Sequence, residues 1–116
     1  MAGDAAESEL PLEIPCAEVK RRLDADDFVL MDCRETDEHA HVCIVGARLV
    51  PMSEIPNRLP ELEELRNSHI VVHCHKGGRS MQVTQWLRQQ GFSRVQSMAG
   101  GIDAWAVDIE PGMPRY

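Results

Sequence analysis

The segment from Ile70 to Ser80 constrains the fold of this chain more than any other part of the sequence. It opens with Ile70–Val72, an apolar and β-branched run that predicts a short buried strand. Beyond Ser80, apolar residues recur at helical spacing over 81–87, and Gly91 marks the end of that helix. The sequence therefore predicts a strand, a tight connection and a helix in immediate succession.

The connection carries a cysteine, Cys74, followed by Gly77, Gly78, Arg79 and Ser80. A strand that turns directly into a helix points successive backbone N–H groups into the connection, because the first-turn donors of the helix have no partner of their own. These donors, the helix dipole and Arg79 predict a pKa for the Cys74 thiol well below its ordinary value of about 8.5. Cys74 is thus a candidate nucleophile. The plainer interpretation is a buried cysteine at a strand end before an ordinary turn.

The spacing within this loop distinguishes two families of enzymes. Four residues stand between Cys74 and Arg79, whereas the cysteine phosphatase signature has five. The shorter loop resembles that of the rhodanese sulfurtransferases. Further segments resemble the same family in order, between about residues 10 and 116: Asp32-Cys33-Arg34-Glu35, Gly46-Ala47 with Pro51, Gly91-Phe92, and Gly100-Gly101-Ile102-Asp103-Ala104-Trp105. This ordered set makes the resemblance more specific than the loop alone.

The resemblance implies an α/β fold, a rhodanese-like three-layer α/β/α sandwich around a mostly parallel five-stranded sheet. The sequence pattern agrees, since predicted strands alternate with predicted helices. We expect strands at 12–14, 28–32, 47–50, 70–72 and 94–98. We expect helices from Pro15 to about 24–27, over 35–42, 53–55 and 59–66, after Ser80, and over 100–106. We also expect 1–10 to be a disordered tail and 11–116 to form one rhodanese domain.

The composition argues against several classes of partner. The net charge of −7 and the pI near 5.1 disfavour nucleic acid binding. No apolar run approaches the ~20 residues of a membrane span, and the first residues lack the pattern of a signal peptide, so we expect no membrane contact. The four cysteines show no close-pair spacing, which fits a reducing compartment. We therefore expect a cytoplasmic protein.

The candidate site consists of Cys74 as nucleophile, Arg79 as its cationic partner, and a loop that forms the anion nest. The remaining residues of that loop are His75, Lys76, Gly77, Gly78 and Ser80. The resemblance further implies that Asp32 and Arg34 brace the loop; an N-cap is the alternative role for Asp32. Contact with an anionic substrate and simple exposure compete as roles for His75 and Lys76.

Three other features of the sequence suggest possible roles. His39-x-His41-x-Cys43 suggests a metal site, but its short alternating spacing is weak evidence for zinc, so we expect polar surface and no metal there. Rhodanese topology implies that Cys33 lies near Cys74, either as a resolving thiol or as a small buried residue. His73, at a buried strand end, is expected to be a core histidine.

The resemblance implies a thiosulfate sulfurtransferase. The Cys74 thiolate would take the sulfane sulfur of thiosulfate, release sulfite and hold the sulfur as a persulfide. Cyanide, a small thiol or a protein thiol would then accept it, with no metal or organic cofactor. The end of the chain, from Gly100 to Tyr116, also resembles the rhodanese module of adenylyltransferase–sulfurtransferase fusions. That likeness implies a sulfur-accepting carrier protein as a candidate partner, with the adenylyltransferase supplied separately.

Two alternative functions stay open on the sequence. The first is a cysteine phosphatase or arsenate reductase, which the short loop disfavours because a tetrahedral oxyanion needs a wider cradle. The second is a non-catalytic rhodanese-like regulatory or binding module. The presence of Cys74 at the nucleophile position ranks that module below the enzyme.

Overall fold

The computed structural model describes residues 10–25 and 28–116. In chain order the elements are β1 (Glu13–Ile14), α1 (Cys16–Ala25), β2 (Val29–Asp32), α2 (Thr36–His41), β3 (Arg48–Leu49), a 3-10 helix (Met52–Glu54), α3 (Ile55–Arg58), a second 3-10 helix (Leu59–Leu65), β4 (Ile70–His73), α4 (Gly78–Gln89), β5 (Val95–Met98) and α5 (Gly101–Asp108). The expected disordered tail at 1–10 lies outside the described residues, apart from Leu10. No helix in the described ranges is long and apolar enough to cross a membrane.

The five strands form one sheet in the order β1-β5-β4-β2-β3, and every neighbouring pair is parallel. The prediction of a mostly parallel five-stranded sheet is therefore confirmed. Strand β4 is central, and its His73 lies opposite Asp32 of β2. The carboxyl ends of β2 and β4 thus meet at one edge of the sheet, the edge at which open parallel sheets bind ligands.

Side chains alternate along the central strands and build a separate apolar cluster on each face of the sheet. Met31 and Val72 point to the face covered by α3, the second 3-10 helix and α4. Leu30 and Val71 point to the opposite face, which is covered by α1 and α5. The helices on the two faces bury apolar side chains against the sheet, and the result is the expected α/β/α sandwich.

Helix α4 begins earlier than the apolar pattern indicated. We expected it to follow Ser80, but its first residue is Gly78. The reason is Gly77, whose φ of +110° gives a left-handed turn that closes the strand-to-helix connection within a few residues. Arg79 and Ser80 consequently belong to the first helical turn, where backbone N–H groups have no helical partner.

The N-terminus of α5 holds the loop that follows β4. The Ile102 N–H donates to the Cys74 carbonyl at 2.9 Å, and the Asp103 N–H donates to the His75 carbonyl at 3.0 Å. Two carbonyls of the loop are therefore directed toward α5. Such a close approach requires a residue without a side chain at Gly101, because a Cβ there would lie 2.4 Å from the His75 carbonyl oxygen.

The segment after α5 returns across the surface toward this loop. Trp105 is buried to 1% exposure, and its indole N–H donates to Glu110 at 2.8 Å. Arg115 then pairs with Asp103 at 2.9 Å. These contacts bring Tyr116 to the edge of the sheet where β2 and β4 end.

The close contact between α5 and the loop after β4 predicts that a methyl group added at Gly101 destabilises the protein. We expect Gly101→Ala to lower the free energy of unfolding by about 1–3 kcal/mol, because the new Cβ collides with two carbonyl oxygens and φ is +62°. The matched control is Gly112→Ala, whose Cβ meets nothing within 4 Å. Chemical denaturation measures both variants, and equal stabilities would contradict the assigned contact.

Candidate active site

Cys74 lies directly after β4, with its sulfur inside the first turn of α4. The residue is 1% exposed. Its Sγ accepts the Gly77 N–H at 3.1 Å and the Ser80 N–H at 3.3 Å, and the Ser80 hydroxyl oxygen lies 3.4 Å away. Ser97 of β5 supports that hydroxyl across 2.7 Å. The loop thus aims two backbone donors and one hydroxyl at a single sulfur atom.

These donors stabilise the thiolate form of Cys74. The pKa of Cys74 is lowered to about 4, chiefly by a hydrogen bond from the Cys33 thiol, and further by the Ser80 hydroxyl and the Ser80 and Gly77 N–H groups. Burial by itself would raise the pKa of Cys74, but the hydrogen bonds lower it by more. The pKa of Cys33 is raised, since its proton is held by the neighbouring thiolate and burial disfavours its own ionisation. Cys74 is therefore ionised at neutral pH while Cys33 is protonated.

Arg79 does not face the sulfur freely, because its guanidinium is engaged by Glu38 of α2. The two groups form a bidentate pair at 2.8 and 2.9 Å. This pair lowers the pKa of Glu38 to about 2 and raises the pKa of Arg79. Glu38 also accepts the Glu35 N–H at 3.0 Å, which fixes the carboxylate on its own helix. The pair ties the first turn of α4 to α2.

Asp32 and Arg34 form a fully buried ion pair beside this network. The guanidinium Nη2 of Arg34 lies 2.7 Å from Asp32 Oδ2, and both side chains are 0% exposed. Arg34 also donates to the Val42 carbonyl at 2.7 Å. The alternative role of Asp32 as an N-cap is wrong, because Glu35 is the N-cap of α2. These contacts of Arg34 hold the residues before and after α2 against the end of β2, and α2 is the helix that contains Glu38.

Tyr116 is a residue of the site that no sequence pattern predicted. Its ring stacks on His75 with centroids 3.9 Å apart and planes 4° apart. Its hydroxyl donates to Glu38 at 2.8 Å and accepts from Arg34 at 3.0 Å. Tyr116 therefore connects the loop beside Cys74 to both ion pairs. Its 78-residue separation from Glu38 leaves no local pattern that could have revealed the contact.

The other loop residues differ in their surroundings. His75 is half-buried beneath Tyr116, whereas Lys76 and Gly78 are exposed. His73 is a buried core residue, as expected, and burial lowers its pKa. Lys76 is consequently the cation of the loop that solvent and anions reach most directly.

The histidines of α2 take part in the site network. His39 Nδ1 lies 2.8 Å from Asp32 Oδ2, and the His41 ring meets Tyr116 edge-on at 5.7 Å. His39 thus does more than line a polar surface. Within residues 10–25 and 28–116, no three His, Cys, Asp or Glu side chains are grouped to hold a metal ion.

Comparison with known proteins identifies the family. The family model described as "Rhodanese-like domain" matches residues 16–108. A sulfurtransferase of Allochromatium vinosum is 40% identical over 95 residues, which cover 81% of this chain and 87% of that protein. An adenylyltransferase and sulfurtransferase of Zea mays is 31% identical over 109 residues, covering 89% of this chain and 23% of that protein.

A solved structure agrees with these similarities. The thiosulfate sulfurtransferase from Pseudomonas aeruginosa superposes with a TM-score of 0.77 at 28% identity, covering 95% of this chain and 21% of that one. The chain therefore spans less than a third of some relatives and most of the length of others. The family match, the parallel sheet and the cysteine loop together establish that this chain belongs to the rhodanese-like domain family of sulfurtransferases.

Proposed function

We propose that this chain transfers sulfane sulfur from thiosulfate, or a similar anionic donor, to a thiophilic acceptor through a persulfide on Cys74. The observation that carries the proposal is the cradle around the sulfur, in which the Gly77 and Ser80 N–H groups lie 3.1 and 3.3 Å from Sγ. Such a cradle stabilises a compact anion at Sγ before the reaction. It equally suits the charge that moves to the outer sulfur of a persulfide.

In the donor step, the Cys74 thiolate attacks the sulfane sulfur of thiosulfate. A new S–S bond forms as the sulfur–sulfur bond of thiosulfate breaks, and sulfite leaves with the bonding electrons. No general base is required, because the pKa of Cys74, at about 4, already leaves the thiol ionised at neutral pH. Exposed Lys76 attracts the anionic donor to the loop.

In the acceptor step, cyanide or a thiol attacks the outer sulfur, and the Cys74 thiolate leaves. A carrier protein is a further candidate acceptor. The maize relative supports that candidate, because its name joins an adenylyltransferase to a sulfurtransferase. A cytoplasmic location is supported by the four cysteines, all of which are unpaired thiols.

The phosphatase alternative lacks the cation it needs. Binding of a phosphate or arsenate dianion calls for a guanidinium directed at the nucleophile. Here the donors of Arg79 are engaged by Glu38 at 2.8 and 2.9 Å. Of the two chemistries, sulfur transfer is therefore the better supported.

The decisive experiment is intact mass spectrometry after treatment with thiosulfate. We expect a gain of about 32 Da, the mass of one sulfur, that cyanide removes with formation of thiocyanate. Cys74→Ser should show no gain, whereas Cys43→Ser, with its substitution outside the loop, should behave as the parent chain. A protein that gains no sulfur from thiosulfate, polysulfide or a thiol persulfide would overturn the proposal.

The hydrogen bond from Cys33 predicts a defined pH dependence. The thiolate is present above the pKa of Cys74, about 4, and the rate of sulfur loading should fall as the pH drops through that value. Removing the donor in Cys33→Ala should raise this midpoint by about one to two pH units, since a hydrogen bond to a charged group contributes about 1.5–3 kcal/mol.

Cys33→Ser is the matched variant, because a hydroxyl can replace the thiol as donor. Its midpoint should stay closer to that of the parent chain. Both midpoints follow from the loading rate and from the ultraviolet absorbance of the thiolate across the pH range. An unchanged midpoint in Cys33→Ala would show that the Cys33 thiol does not stabilise the thiolate.

The Arg79–Glu38 pair predicts non-additive kinetics. We expect Arg79→Ala and Glu38→Ala each to slow sulfur loading by about 10- to 100-fold, because each releases the first turn of α4 from α2 and displaces the donors to Sγ. The double variant should lose little more than the more severe single variant. Loading rates of the four proteins, measured by mass, provide the test, and fully additive losses would argue against a shared role.

A further inference from the structure

Cys33 lies beside Cys74 at the end of the neighbouring strand. Asp32 and His73 are paired in the parallel ladder of β2 and β4, and the Cys33 N–H donates to the His73 carbonyl at 3.0 Å. Cys33 directly follows Asp32, and Cys74 directly follows His73, so the two cysteines come next after this pair. Adjacent strands lie about 4.8 Å apart, and a disulfide requires Cα atoms about 4.4–6.8 Å apart. The strand register therefore sets a backbone separation that a disulfide can bridge.

Both side chains also point to the same face of the sheet. Met31 and Val72 precede the two cysteines by two residues, and all four lie in the same apolar cluster. Cys33 is 0% exposed and Cys74 is 1% exposed, so both sulfurs are shielded from solvent. The matched register of β2 and β4 places these two side chains beside each other on that face. The sulfur atoms are thus neighbours without any change of fold.

We propose that Cys33 discharges the Cys74 persulfide within the protein, forming a Cys33–Cys74 disulfide and releasing the outer sulfur as sulfide. This inference rests on the proposed persulfide chemistry and extends it to a second product. In the absence of an external acceptor, the protein then converts sulfane sulfur to sulfide. The proposed transfer to an external acceptor requires only Cys74, whereas this discharge requires both thiols.

The step balances without an added oxidant. Cys33 Sγ attacks Cys74 Sγ, and the bond from Cys74 Sγ to the outer sulfur breaks. The outer sulfur leaves with the bonding electron pair and takes up the Cys33 proton, departing as HS⁻. That sulfur is reduced by two electrons as the two cysteines are oxidised to a disulfide. An external dithiol then reduces the disulfide and restores both thiols.

Loading of the site changes the charge that Cys33 faces. Before loading, the negative charge lies on Cys74 Sγ and holds the Cys33 proton, which raises the pKa of Cys33. In the persulfide the charge resides on the outer sulfur, so the inner sulfur no longer holds that proton as strongly. The Cys33 thiol is then freer to react than it is in the resting protein.

The other two cysteines are placed differently. Cys16 packs in the apolar cluster on the opposite face of the sheet. Cys43 is half-buried in the connection between α2 and β3. Both serve as internal controls, because a specific discharge should leave them as free thiols.

The experiment follows a single turnover without acceptor. The protein is loaded with thiosulfate, desalted without oxygen and sampled over time for intact mass, trapped sulfide and tryptic peptides. Cleavage after Arg22, Arg34, Arg66 and Lys76 places Cys33 in peptide 23–34 and Cys74 in peptide 67–76. We expect the gain of about 32 Da to change to a loss of about 2 Da, with one sulfide released per chain and these two peptides joined.

Variants and dilution distinguish this route from others. Cys33→Ser and Cys33→Val should load sulfur and keep it, whereas Cys43→Ser should discharge like the parent chain. The rate should not depend on protein concentration, and dithiothreitol should restore the starting mass. A loaded parent chain that keeps its sulfur, or a disulfide formed without sulfide, would overturn the inference alone. Failure to load from any sulfur donor would overturn the proposed function as well.

Discussion

A negatively charged sulfur at 1% exposure needs hydrogen-bond donors around it, because burial otherwise favours the neutral thiol. The chain supplies them by passing from β4 into α4 with little connection between the two. Gly77 makes this possible, since its φ of +110° closes the turn and leaves its own N–H 3.1 Å from the sulfur. Ser80 adds the N–H of the first helical turn at 3.3 Å. The start of the helix and the ionisation of Cys74 are thus consequences of the same geometry.

The loop keeps this shape because distant segments hold its carbonyl groups. Those of Cys74 and His75 accept hydrogen bonds from the N-terminus of α5, at 2.9 and 3.0 Å. An amide that turns its carbonyl toward α5 turns its N–H the other way, since the peptide is planar. Gly101 is essential to this contact, because any Cβ would collide with the carbonyl oxygens. The end of the domain therefore positions a site that lies near its middle.

Several charged side chains lie beside the loop and connect it to α2. Buried Arg34 pairs with Asp32, Glu38 pairs with Arg79, and Tyr116 joins both pairs through its hydroxyl. Because each member neutralises or orients the next, the carboxylates and guanidinium groups of the site are paired with one another. At the surface, Lys76 is the exposed cation of the loop. In the interior, Cys74 Sγ is stabilised by the dipoles of its hydrogen-bond donors and by Cys33, and only distantly by Arg79.

Sequence patterns alone were enough to predict the strand–loop–helix unit around Cys74, the alternation of strands and helices, and the family. These are local properties: an apolar run, a glycine turn and a helical period each act over a few residues. The packing of the folded chain was needed to show that Glu38 pairs with Arg79 and that Tyr116 stacks on His75. Each of these contacts joins segments at least 41 residues apart. They depend on strand order and helix packing, which no local pattern of residues encodes.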